Sequence, residues 1–141
     1  MTVADRLSSA DGTRPAPRAR VGVFGIGLDT YWPQFAGLRE RVEGYQRRVE
    51  ERVAELGGEV VSAGLVDTAQ GARTAGDRFA QAQVDLVLCH AVTYATSSTV
   101  LPIVQAAKAP VVILGLQPTA TLDYANVDTG EWLAKIGRAH V

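Results

Sequence analysis

The chain is poor in the residues that make specialised chemistry easy to place. It has one cysteine, Cys89. This excludes an internal disulfide and a cysteine-built metal cluster, and it fits a reducing compartment. Inside an apolar stretch, Cys89 reads as an inert core thiol. The two histidines, His90 and His140, cannot form a metal cage without carboxylates converging beside them. The lysines are Lys108 and Lys135 alone, so no phosphate-binding loop of the strand–glycines–lysine kind exists. Neither sign of charge dominates: 14 Lys and Arg face 15 Asp and Glu for a net charge of -1. That balance gives no footing for nucleic acid or an anionic membrane. Apolar runs such as Pro110 to Leu116 stay far below the roughly 20 residues that a bilayer span needs. No signal-peptide core precedes them. The expectation is a soluble, cytoplasmic protein without nucleic-acid or membrane partners.

What is present is globular composition, with 47% hydrophobic and 21% charged residues over 141 positions. At roughly 150 residues per domain this makes one domain. Residues 1–18, with Ser8-Ser9, Asp11-Gly12 and Pro15-Ala16-Pro17, read as a flexible leader, and folding is expected over 19–134. Arg20-Val21-Gly22-Val23-Phe24-Gly25 has the form of a strand buried on both faces. After it, Phe35, Leu38, Val42, Tyr45, Val49, Val53 and Leu56 recur every three or four residues, which predicts one helical stripe. Arg39, Glu40, Glu43, Arg47, Arg48, Glu50, Glu51 and Arg52 fill the opposite, solvated face, and Gly57-Gly58 stops the helix. The alternation then repeats. A strand is expected over 59–63, and then a helix capped by Asp67 or Thr68 that turns Ala72, Ala75, Phe79 and Ala82 inward. A strand over 84–90, a helix over 98–107, a strand over 110–116 and a short helix near Asp128 follow.

Apolar strands alternating with helices imply right-handed crossovers and a parallel sheet covered on both sides. The fold class is α/β, a three-layer doubly wound parallel sheet of the flavodoxin or Rossmann-like kind, with about four strands in the order 2-1-3-4. Such sheets bind ligands where the strands end. The segments that matter are therefore 25–34, 90–98 and 115–120.

The first segment contains Gly25-Ile26-Gly27-Leu28-Asp29-Thr30-Tyr31-Trp32-Pro33-Gln34. Its glycines resemble a dinucleotide fingerprint, but Thr30 stands where the third glycine belongs and Tyr31-Trp32-Pro33 displaces the helix start. Two adjacent aromatics beside a carboxylate and an amide instead suit a sugar, whose C–H faces stack on rings while its hydroxyls need donors and acceptors. The alternative is that Tyr31 and Trp32 only plug the sheet edge. The second segment groups Thr93, Thr96, Ser97, Ser98 and Thr99 at a helix start, more hydroxyls than one cap requires. His90 reads as a strand-end histidine rather than an acid or base. Gln117 and Thr119 add an amide and a hydroxyl after the last strand. Receiver-type phosphotransfer is excluded, because the strand ends carry Gly25-Ile26 and His90 where it needs carboxylates, and no Asp-x-His-x-x-Gly cobalamin loop occurs.

Gly27-Leu28-Asp29-Thr30-Tyr31-Trp32-Pro33-Gln34-Phe35, Val92-Thr93-Tyr94-Ala95-Thr96-Ser97-Ser98-Thr99-Val100-Leu101-Pro102 and Leu116-Gln117-Pro118-Thr119-Ala120-Thr121-Leu122-Asp123-Tyr124 occur in that order. Together they resemble the amino-terminal domain of the L-fucose and L-arabinose isomerase family, in particular its arabinose isomerase-like branch. The resemblance implies a multidomain, homo-oligomeric aldose–ketose isomerase that moves hydrogen between C1 and C2 with a divalent metal, usually manganese. The metal ligands would lie in later domains and have no counterpart here, so this chain by itself would be inactive, with no catalytic and no metal-binding residues. The amino-terminal domain would contact sugar at a site completed by a neighbouring subunit, through Asp29, Tyr31, Trp32, Gln34, Thr93, Tyr94 and Gln117. The alternative expectation is a noncatalytic sugar-binding lobe, like half of a periplasmic-type binding or repressor effector domain. Residues 135–141, ending Ile136-Gly137-Arg138-Ala139-His140-Val141, resemble a translated sequencing adapter and are expected to be a non-native tail on a truncated gene product.

Overall fold

A computed structural model describes residues 17–117 of the chain. The expected helix near Asp128, the tail 135–141, the stretch from Pro118 to Tyr124 and nearly all of the leader lie outside the described residues. Within them the elements are β1 (Arg20–Ile26), α1 (Leu38–Glu55), β2 (Glu59–Val66), α2 (Ala69–Ala82), β3 (Leu86–Ala91), α3 (Leu101–Ala107) and β4 (Val111–Leu114). Short 3-10 turns occupy Asp29–Tyr31 and Ser97–Thr99. The four strands form one parallel sheet in the order β2-β1-β3-β4, so the expected fold class and strand order both hold.

The strand pattern divides the sheet between two cores. Phe24, Val87 and Cys89 face α2 and α3, where Phe79, Ala72, Ala75, Ile103 and Ala107 close over them. Val21 and Val23 face α1 and meet Val49, with Val53, Leu86, Leu88 and Leu114 around them. Alternating positions of a strand point to opposite faces, so a run that is apolar at every position is what two covered faces require.

Most boundaries shift by a few residues from the pattern-based expectation, β3 running over Leu86–Ala91 rather than 84–90 and β4 over Val111–Leu114 rather than 110–116, and three further shifts have a local cause. α1 begins at Leu38 rather than Phe35, because Pro33 and a turn ending at Gly37, which has φ 74, intervene. Its stripe buries Leu38, Val42 and Val49 but leaves Leu56 72% exposed, since that residue lies past the helix end. The helix also buries Gln46, which no apolar stripe includes. β2 runs to Val66 because its pairing with β1 continues to Ile26, past a register slip between Val23 and Phe24 at which Ser62 faces Val23 and Gly64 faces Phe24. Gly64 absorbs the extra residue at φ 65, and its N–H donates to Ser62 Oγ at 3.1 Å. α3 is one turn shorter than expected, the first residues of that segment forming the 3-10 turn. Among the described residues no helix is long and apolar enough to cross a membrane.

Candidate functional site: the carboxyl edge of the sheet

The segments expected to matter follow β1, β3 and β4, and parallel strands bring their ends to one edge. Two backbone bonds lock the first loop to its neighbours. The Gly27 N–H donates to Val66 O at 3.0 Å, and the Thr93 N–H donates to Ile26 O at 3.3 Å. The loops after β1, β2 and β3 therefore adjoin.

Within the first loop, Asp29 opens the 3-10 turn and is exposed. Tyr31 is half-buried, edge-on to Phe35 with ring centroids 5.9 Å apart. The Gln34 amide donates to Thr30 O at 2.6 Å, which ties the side chain to its own turn. Trp32 leans back over the sheet. Its indole N–H donates to Asp67 Oδ2 at 2.7 Å, and the Arg39 guanidinium lies 5.9 Å from the ring centre. A Cβ at Gly27 would stand 2.8 Å from the indole ring. Glycine is needed at position 27 for that approach, so the pair of glycines that resembled a dinucleotide fingerprint serves packing. Gly25 on the same face does likewise for the Gln46 amide, 3.0 Å from where a Cβ would be.

In the second loop Thr93 is buried and its hydroxyl donates to Tyr94 O at 3.0 Å, while the Tyr94 side chain is 51% exposed. The Thr99 hydroxyl donates to Thr96 O at 2.8 Å, and the Thr96 and Ser98 hydroxyls are 2.7 Å apart. Several of the clustered hydroxyls thus shape the loop itself, as Ser and Thr commonly do. Six of the seven expected contact residues, Asp29, Tyr31, Trp32, Gln34, Thr93 and Tyr94, sit in these two adjoining loops. Gln117 stands one strand further along the edge, beyond β4, where it lines a cleft of about 450 Å³ with His90, Leu88, Leu114, Val49 and Val53.

The sequence pattern missed two polar clusters. The first joins Trp32, Asp67, Arg39 and Glu43. Arg39 bonds Glu43 at 3.0 Å and lies 3.8 Å from Asp67. Its hydrogen bond to Glu43, and then the nearby Asp67 carboxylate, raise the guanidinium pKa against the opposing effect of burial. Asp67 was legible only as a possible helix cap. Thr68 takes that role, its hydroxyl accepting from the Gly71 N–H at 3.0 Å.

The second cluster lies beneath α1. His90, 2% exposed, meets Gln46 Oε1 through Nδ1 at 3.2 Å. The Gln46 amide donates to Glu50 at 3.3 Å, and Glu50 accepts from Ser62 Oγ at 2.5 Å. A carboxylate only accepts, so the Gln46 NH₂ must face Glu50 and its oxygen must face His90, which places the proton on His90 Nδ1. Cys89, 1% exposed, is pushed up to about 11 by burial, in keeping with an unreactive thiol.

Among the described residues no group of three or more His, Cys, Asp or Glu side chains is placed to hold a metal ion. No protein-family model matches the chain, and no curated protein sequence matches it.

Proposed function

We propose that the carboxyl edge of this sheet recognises a sugar. In this reading the chain is the substrate-contacting amino-terminal part of an aldose–ketose isomerase of the L-fucose and L-arabinose type, acting in the cytoplasm. The observation that carries the reading is the joining of two loops by the Thr93 N–H to Ile26 O bond, which collects a carboxylate, an amide, hydroxyls and three aromatic rings on one edge. Tyr94, Tyr31 and Trp32 offer rings to the C–H faces of a pyranose or its open chain, and the Asp29 carboxylate accepts from its hydroxyls. Gln117 extends the contact along the edge. Much of the loop geometry is set by internal hydrogen bonds, which lowers the ordering cost of binding a small polar ligand.

The hydrogen transfer between C1 and C2 belongs, in this reading, to polypeptide that supplies glutamate and histidine ligands for a divalent metal such as manganese. The chain's own residues bind and orient the sugar, and a neighbouring subunit of a homo-oligomer completes the site.

The test has two arms. Calorimetric titration of the chain with L-fucose and L-arabinose is expected to give saturable binding that Tyr94→Ala weakens about tenfold, the loss of one good ring contact. The product of the complete open reading frame is expected to interconvert aldose and ketose with manganese stimulation. Binding without interconversion favours the noncatalytic lobe. Absence of both overturns the sugar reading.

A further inference from the structure

Asp67 is the single residue between the end of β2 at Val66 and the α2 cap at Thr68. Thr68 caps α2, so the neighbouring carboxylate is released from that task. Its side chain is nevertheless only 17% exposed, and it gathers two distant elements. Oδ2 accepts from the Trp32 indole N–H at 2.7 Å, 35 residues away, and lies 3.8 Å from Arg39 Nη1 near the start of α1. Arg39 in turn covers the Trp32 ring at 5.9 Å and is braced by Glu43. Opposite this clamp, the missing side chain of Gly27 leaves just enough room for the indole edge.

A hydrogen bond to a carboxylate is about twice as strong as one between neutral groups, and it strengthens as water is excluded. Orienting a ring in advance matters most where the ring must meet a ligand, because a rotamer frozen before binding is not paid for during it.

We propose that Asp67 is a positioning residue for the sugar edge: it fixes the Trp32 ring and, through it, the loop over residues 27–37, without touching the sugar itself. The inference rests on the polyol reading for its purpose, but the clamp is measurable without any sugar.

Replacing Trp132 by Phe leaves Trp32 as the sole tryptophan and reporter, since the chain has two. In that background Asp67→Ala is expected to shift the Trp32 emission to the red and lower its anisotropy. Asp67→Asn, whose amide oxygen still accepts from the indole, restores both. With L-fucose and L-arabinose as probes, Asp67→Ala raises the Kd about tenfold, the weight of one charge-assisted hydrogen bond, and Asp67→Asn raises it less than about threefold.

Unchanged emission and anisotropy in Asp67→Ala overturn the clamp. A freed indole with parental sugar affinity overturns its positioning role. If neither sugar binds the parent, the polyol reading fails while the anisotropy still decides the clamp. Should Asp67→Ala not fold, Trp32→Phe, which keeps a ring but loses the donor, carries the affinity test with the same expected weakening, and parental affinity there again overturns the role.

Discussion

The two faces of the sheet are built on different principles. On the side of α2 and α3 the core is dry and close-packed. Phe24 and Phe79 are fully buried with ring centroids 6.2 Å apart, and Gly76 lets α2 approach α3 so closely that a Cβ would stand 2.9 Å from Pro102 O. On the side of α1, apolar packing centres on Val21, Val23 and Val49, with Leu38 and Val42 buried further along the helix. Toward the strand ends it gives way to Gln46, Glu50, Ser62 and His90, and then to a cleft along β3 and β4. One face supplies cohesion by excluding water. The other is specified by donors and acceptors that must all be matched, because an unmatched buried polar group costs more than a matched one contributes.

The comparison is broken most directly from the dry side. Phe79→Ala should cost about 3–5 kcal/mol, a transfer loss plus the cavity left behind, read as a lower urea midpoint with little change in slope. If it costs under about 1 kcal/mol, the dry core is not the main source of cohesion. Gly76→Val, which forces a side chain against backbone of α3, should cost about 1–3 kcal/mol by overpacking in the same assay.

The polar side is tested by Gln46→Leu, of similar size but without donor or acceptor. It removes the acceptor that His90 Nδ1 meets and should cost about 1–2 kcal/mol, with the His90 ring proton resonances shifting in the NMR spectrum. A neutral effect would mean that the relay contributes nothing to that face. As a control, Leu56→Ala should stay within about 0.5 kcal/mol, since the residue is already in water.

Cys89 gives the smallest effect at neutral pH and a directional one in alkali. Burial raises its pKa from the ordinary 9.0 to about 11. The folded state keeps the proton that the unfolded state loses, so the contribution is complete below pH 9.0 and is lost as the pH rises through about 11. Urea midpoints measured from pH 7 to pH 11 should therefore fall more steeply for the parent than for Cys89→Ala, and a disulfide reagent at pH 8 should reach the thiol only after unfolding.

Local pattern carried the architecture a long way. The strands' apolar runs, the spacing of Leu38, Val42 and Val49, and the polar pair Asp67-Thr68 before α2 were enough to place the four strands and three helices to within a few residues, though not the two 3-10 turns. Each of those signals lies within a few neighbouring residues. The site was legible only as a set of loops. That Asp29, Tyr31, Trp32, Gln34, Thr93 and Tyr94 share one edge follows from parallel topology. The roles of Asp67, Arg39 and Gln46 do not, because their partners lie 28 to 44 residues away and each residue type is ordinary where it stands.

The amino-acid sequence by itself thus determined an α/β sheet covered by helices, through periodicities of two and 3.6 residues that any chain must obey to bury its apolar side chains. Only the tertiary structure decided which polar groups meet across that sheet. The Gly25 and Gly27 spacing acquired its meaning there, as room for Gln46 and Trp32, because a hydrogen bond depends on separation in space and leaves no mark on separation along the chain.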